Sequence, residues 1–252
     1  ASGSLRATLR GNNQVMLACD MMSNFVAGAS TDKTCRIWNA TTQRMIHQLV
    51  GHQHKILAVR FLDNEKAVLT ASADRSMKLW DISRRTYRQN LTLRHSSTAL
   101  SIDVNANHAV SGHSDRGLRV WDLASGERTV DVRELHTTSL VSVQFDSTAT
   151  QVLTASADST LKIMDLRTNK IVREFLQDNA SQPTTTTTTS CCASWSPDGR
   201  YIVAGSSNRS LLVWDVSDGK VMTRLQQHER SIVSVAWGHC GEQQQVAALD
   251  RR

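Results

Sequence analysis

The chain has 252 residues, 40% apolar and 21% charged, with only 12 Gly and 2 Pro and a formal net charge of +6. This is the balance of a globular chain long enough for a sizeable core, and it excludes collagen-like and disordered classes. No run approaches the roughly 18 uninterrupted apolar residues of a membrane span, and no basic segment followed by an apolar run opens the chain, so a cytoplasmic location is expected. The start at Ala1 instead of Met leads us to expect part of a longer gene product.

In chain order, Leu5 to Leu9 reads as an outermost strand d, and a repeat follows. Its anchors are Arg36-Ile37-Trp38-Asn39, Lys78-Leu79-Trp80-Asp81, Arg119-Val120-Trp121-Asp122, Lys162-Ile163-Met164-Asp165 and Leu212-Val213-Trp214-Asp215, spaced 42, 41, 43 and 50 residues apart. Six residues before each anchor stands a turn residue: Asp32, Asp74, Asp115, Asp158 and Asn208. Within a unit, short β-branched or alternating runs are separated by Asn, Asp, Gly and Ser clusters, the pattern of four antiparallel strands joined by hairpins. The second unit predicts strands a to d over Ile56–Phe61, Ala67–Ser72, Met77–Trp80 and Gln89–Leu93. Ser196-Pro197-Asp198-Gly199 is the strongest hairpin signal, and Ser231 to Leu249 reads as a final a–b pair with no strand c after it.

These WD and WN dipeptides, with Gly51-His52 and the turn Asp before each Trp, resemble the WD40 repeat family. The resemblance implies an all-β WD40 β-propeller over residues 1–252 as a single domain incomplete at both ends. Five complete blades plus partial seam strands would make most of a seven-bladed ring, with the chain open or strained at that seam. It also implies a buried network joining a His, a strand-b hydroxyl, the turn Asp and the strand-c Trp. His52, Thr70, Asp74 and Trp80 match it, as do His95, Ser111, Asp115 and Trp121. Gly28, Met164, Ala204 and Asn208 interrupt it in the other three blades, which are expected to lean on apolar packing.

A Ser/His/Asp set invites a hydrolase reading. The set recurs once per blade, however, whereas catalysis needs one site with one geometry, so no catalytic residue is assigned. Phosphate loops, dinucleotide turns and nucleophile elbows are absent from the sequence. Cys19, Cys35, Cys191, Cys192 and Cys240 form no C-x-x-C pair, so reduced thiols are expected, with neither metal nor cofactor.

Ser111-Gly112-His113-Ser114-Asp115 and Leu161 to Lys170 further resemble the C-terminal propeller of the autophagy-related protein 16 family. So does the run from Ser196-Pro197-Asp198-Gly199 to Val213-Trp214-Asp215. That resemblance implies a non-catalytic scaffold docking cargo, receptor or membrane-linked partners to a complex that directs lipidation of a ubiquitin-like modifier on autophagosome precursor membranes. Contact with the autophagy 12 and 5 conjugate would come only through other regions of the parent protein. The alternative is a substrate receptor of a cullin-type ubiquitin ligase, whose W-D-x-R ending is not met at Met164-Asp165-Leu166-Arg167. A phosphoinositide-binding propeller would carry Phe-Arg-Arg-Gly where this chain has Ser83-Arg84-Arg85-Thr86.

The residue after each turn Asp or Asn is expected on a partner-binding rim, giving Lys33, Arg75, Arg116, Ser159 and Arg209, extended by Arg230 and Lys55. Its expected ligand is an acidic or phosphorylated peptide, since Arg makes planar charge-assisted contacts to carboxylate and phosphate; nucleic acid is not expected. The competing reading is a local pair with the adjacent Asp, which contributes little when exposed. Residues 178–190, with six consecutive threonines, read as an exposed loop insertion.

Overall fold

The computed structural model describes residues 7–12, 14–62, 66–83, 88–176, 192–206, 209–226, 228–240 and 243–250. Among them the chain forms strands and turns. The first sheet holds β1 (Met16–Met22), β2 (Phe25–Ser30), β3 (Thr34–Asn39) and β4 (Met45–Val50). The second holds β5 (Ile56–Phe61), β6 (Ala67–Ser72), β7 (Ser76–Asp81) and β8 (Arg88–Arg94). In the third are β9 (Ala99–Asn105), β10 (His108–His113), β11 (Leu118–Asp122) and β12 (Arg128–Val132). The fourth comprises β13 (Leu140–Phe145), β14 (Gln151–Ser156), β15 (Thr160–Asp165) and β16 (Lys170–Leu176). The fifth comprises β17 (Ala193–Trp195), β18 (Tyr201–Gly205), β19 (Leu211–Asp215) and β20 (Val221–Leu225), and β21 (Ile232–Cys240) pairs with β22 (Gln243–Asp250). Each four-stranded sheet pairs its strands in sequence order, so each repeat closes its own meander.

Composition follows position in the sheet. The second strand, typified by Ala67-Val68-Leu69-Thr70-Ala71-Ser72, is buried along its whole length, so both faces are packed and small apolar residues run without alternation. The fourth strand faces solvent, and in β20 all five residues are exposed. Bulges recur at fixed places. One opens the first pairing at Met16/Ala18, Ile56/Ala58 and Leu140/Ser142. Another lies between the third and fourth strands at Ile37/Trp38, Leu79/Trp80, Ile163/Met164 and Val213/Trp214. Such bulges bend and twist a strand. Because Met164 keeps the bulge, the bend does not depend on an indole.

Two compact units are formed, Ala1–Ala109 with Trp121–Arg128, and Val110–Val120 with Thr129–Arg252. In the first, Ala27, Ile37, Leu49, Phe61, Val68 and Trp80 share one core cluster, and Leu69, Met77, Leu93, Ile102 and Trp121 belong to another. In the second, Val110, Leu140, Phe145 and Met164 pack together, as do Leu153, Phe175, Ile202 and Trp214.

The hairpin at Ser196–Gly199 forms as the sequence predicts, with Gly199 at φ +70° and its N–H donating to Ser196 O at 2.9 Å. The strand expected at Leu5 to Leu9 is corrected: the described part, Ala7 to Leu9, is irregular. The threonine insertion and Asn208 lie outside the described residues.

Candidate interaction surface and the networks beneath it

In the second sheet a polar chain ties the loop before β5 to the body of the sheet. His52 Nδ1 lies 2.8 Å from Asp74 Oδ2, and its Nε2 lies 2.8 Å from Thr70 Oγ1. Trp80 Nε1 donates to that same Oγ1 at 2.8 Å. Since a carboxylate only accepts, His52 carries a proton on Nδ1, and the Thr70 hydroxyl that accepts from the indole also donates toward Lys78 O at 3.3 Å. Burial pushes the His52 pKa down despite Asp74. Burial alone would raise the Asp74 carboxyl, but hydrogen bonds from Ser76, the Gln53 N–H and His52 outweigh it and hold the pKa at about 2.

The fourth sheet repeats the arrangement without the indole. His136 Nε2 is 2.9 Å from Thr154 Oγ1, its Nδ1 is 2.8 Å from Thr160 Oγ1, and Asp158 Oδ2 accepts from Thr137 N at 2.9 Å. Hydrogen bonds from His136, Thr160 and Thr137 overcome burial and hold the Asp158 carboxyl far below the usual carboxylate range. This blade keeps a polar network where apolar packing was expected, because Thr160 supplies an oxygen of its own.

In the third sheet the imidazole bound to Ser111 belongs to His113, at 2.8 Å, and not to His95 as the spacing suggested. Ser111 and His113 are two residues apart on one strand, so the pleat places both side chains on one face with no loop to close. His95 instead packs against Trp121, with ring centroids 6.2 Å apart. Asp115 is held by the buried Arg119, at 2.6 and 3.3 Å.

The first sheet does the same: Arg36 Nη1 lies 2.7 Å from Asp32 Oδ2 and donates to Asn12 Oδ1 at 2.6 Å. Trp38 Nε1 donates to Arg10 O at 2.9 Å. Gly28, where the hydroxyl was expected, leaves room for this arrangement, since a Cβ there would sit 3.0 Å from the Trp38 ring. This blade too carries a buried ion pair instead of relying on apolar packing alone. A signal for it stood in the sequence, as Arg follows the turn Asp by four residues in these two sheets while Lys does so in the second and fourth.

Inner strands are stitched to their neighbours by side chains. Asp20 Oδ2 accepts from Phe61 N at 2.7 Å, and Gln144 Oε1 accepts from Trp195 N at 2.8 Å. Arg60 pairs with Asp103 at 3.3 Å.

The rim residues share one backbone state. Lys33, Arg75, Arg116, Ser159 and Arg209 all have positive φ, between 62° and 70°, closing the hairpin between second and third strands. Arg75 N donates to Ser72 O and Arg116 N to His113 O, both at 3.2 Å. A side chain in this left-handed state costs about 1–2 kcal/mol, so the turn tolerates strain to present it. Arg116 pairs with Glu134 at 3.1 Å, Arg209 reaches Glu229 O at 3.4 Å, and Arg230 is exposed. Burial pushes the Cys35 thiol up to about 12 and Cys192 to about 11, so neither is a nucleophile at neutral pH.

Repeated four-stranded meanders with turn Asp networks and presented loops define a WD-repeat β-propeller fold. The family described as "WD domain, G-beta repeat" matches residues 3–39, 43–81, 88–122, 128–165 and 181–215, and this chain belongs to it. Protein tipD of Dictyostelium discoideum is 35% identical over 243 residues, covering 94% of this chain and 39% of that protein. Autophagy-related protein 16 of Arabidopsis thaliana is 27% identical, covering 96% of this chain and 47% of that protein. Autophagic-related protein 16.2 of Caenorhabditis elegans is 31% identical, covering 92% and 43%. The chain thus spans less than half the length of these relatives. Among solved structures, the computationally designed Ika8 protein matches 92% of this chain and 68% of its own at a TM-score of 0.74 and 21% identity, a likeness of fold.

Proposed function

We propose that this chain is the docking domain of an autophagy scaffold, non-catalytic, receiving cargo, receptor or membrane-linked protein partners for a complex that directs lipidation of a ubiquitin-like modifier. The observation carrying this reading is the alignment of more than nine-tenths of the chain with two proteins named for autophagy-related 16 function. The geometry fits a scaffold. The His, Asp and Thr of the second sheet satisfy one another, with Thr70 fully buried, so no polar atom of that set is left poised for a substrate. A cytoplasmic site of action, peripheral to autophagosome precursor membranes, goes with this role.

The partner-facing residues in this reading are Lys33 and Arg75 in the first unit and Arg116, Arg209 and Arg230 in the second. Co-purification from the full-length parent should recover the autophagy 12 and 5 conjugate; recovery of a cullin adaptor in its place would overturn the autophagy role. Charge reversal of Arg75 and Arg116 together should release a partner from the domain, and an unchanged set of partners removes the rim assignment.

A further inference from the structure

One backbone contact closes the loop after the fourth strand in two sheets, and the charge beside it differs. His95 N donates to Arg75 O at 3.2 Å in the second sheet, and Leu135 N donates to Arg116 O at 3.1 Å in the third. The residue ahead of the donor in the third sheet is Glu134, whose carboxylate pairs with Arg116 at 3.1 Å. In the second sheet that residue is Arg94. It stands across the ladder from Ser76, the first residue of β7, where β3 and β15 meet the apolar Val50 and Leu176. Arg75 and Arg94 are both exposed, and among the described residues neither has an ion-pair partner. Both line a recess of about 400 Å³ together with Gly51 and Gln53. Asp74 in its wall is already engaged by His52, Gln53 N, Ser76 N and Ser76 Oγ, and Lys78 there has other contacts. The two guanidiniums alone exceed the Asp74 carboxylate by one charge.

We propose that this recess receives a glutamate or aspartate side chain of a partner protein, its carboxylate bridging Arg75 and Arg94 as Glu134 engages Arg116 in the third sheet. The assignment rests on the domain being a protein-interaction module, and it fixes where on the partner-facing rim an acidic contact is made. Each guanidinium donates in a planar fork, so two of them can share both oxygens of one carboxylate. Like charges held side by side repel one another, and a recess lined by one sign of charge concentrates the opposite sign. An incoming carboxylate relieves that repulsion. Arg116 and Arg209 are placed differently, the first already paired with Glu134 and the second turned to Glu229 O at 3.4 Å. Arg94 therefore belongs with Arg75 as a partner contact, although it does not follow a turn Asp.

The test is a synthetic peptide library with a fixed central glutamate, passed over the 252-residue chain beside the same library with glutamine at that place. Selected glutamate peptides should bind about tenfold tighter than their glutamine forms, the scale of hydrogen bonds to a charged group. Arg94→Glu, which copies the Arg116–Glu134 pairing into the second sheet, should remove that preference, and Arg94→Gln should weaken it. Lys220→Gln removes a cation from an exposed position in the fifth sheet and should leave the preference intact. Circular dichroism and melting of the Arg94 variants should match the parent, since the side chain is exposed. Equal binding of the two libraries, a preference surviving Arg94→Glu, or an equal loss in Lys220→Gln overturns the assignment. So does Arg94-dependent binding to phosphatidylserine vesicles without any glutamate preference. A glutamate preference with no autophagy partner recovered from the full-length parent upholds the site and overturns only the wider role.

Discussion

Arg119 reaches back four residues to place its guanidinium 2.6 Å from the carboxylate of Asp115, and the side chain doing so is 3% exposed. Arg36 makes the same return to Asp32 at 2.7 Å. Where Lys stands at that position, an imidazole takes the turn carboxylate instead: His52 at 2.8 Å and His136 at 3.6 Å. The planar fork of Arg explains the division. It can bind a carboxylate bidentately from within the same hairpin, whereas a lysine ammonium is a point charge better left hydrated. One device closes the hairpin locally, and the other ties it to the preceding loop.

Arg119→Ala should cost about 3 kcal/mol in urea unfolding, because it strips a buried pair of one partner. Arg119→Lys should recover less than half of that loss, since the bidentate geometry is not rebuilt. Full rescue by Lys would show that charge alone suffices.

Thr70 and Thr154 are fully buried and occupy the same place in the second and fourth sheets, which differ in composition. Thr70→Val strands two ring nitrogens, on His52 and Trp80, and should cost about 2–4 kcal/mol. Thr154→Val strands His136 alone, Met164 having no N–H to lose, and should cost about 1–2 kcal/mol. Equal losses in chemical denaturation would contradict the shared-hydroxyl arrangement.

His52 is held neutral in the fold, its pKa pushed below 6.5 chiefly by burial. The unfolded chain therefore binds the proton first on acidification, so stability is whole above about pH 6.5 and falls as pH drops toward the folded pKa. Asp74 adds a second loss between pH 3.8 and about 2. Tm measured at pH 7.5, 5.5 and 3 should decline at each step, and His52→Gln should flatten the first interval relative to the parent chain.

Gly112 is a packing requirement. A Cβ there would lie 2.7 Å from Val143 Cγ1 and 3.0 Å from Leu140 Cβ, both on buried side chains of β13. Gly112→Ala should destabilise by about 1–3 kcal/mol through overpacking, and trimming Val143 to Ala in the same chain should return part of it. Loss with no recovery in the double variant would point to backbone conformation instead.

The repeat was legible because its marks are local. The dipeptides at Trp38, Trp80, Trp121 and Trp214 and the turn Asp ahead of them sit within one hairpin, so their spacing reports the blade directly. His52 with Thr70 and Asp74 was legible too, because the residues recur at fixed offsets. His113 was missed for a physical reason: by sequence, a His in the loop before a blade and a His two residues along its second strand are equally available. Only the pleat shows which lies beside Ser111. The four-residue return of Arg36 and Arg119 was written in the chain but has no meaning until the turn is folded tightly enough to make it.

By itself, then, the sequence determined an all-β chain of four-stranded repeats, their register and the family they belong to, since each follows from alternation and turn chemistry within about 40 residues. Tertiary structure decided which polar partner each turn carboxylate takes, and that Arg75 and Arg94 line one recess. Those choices depend on which side chains the twist and bulges bring within 3 to 4 Å, a distance that residue spacing does not encode.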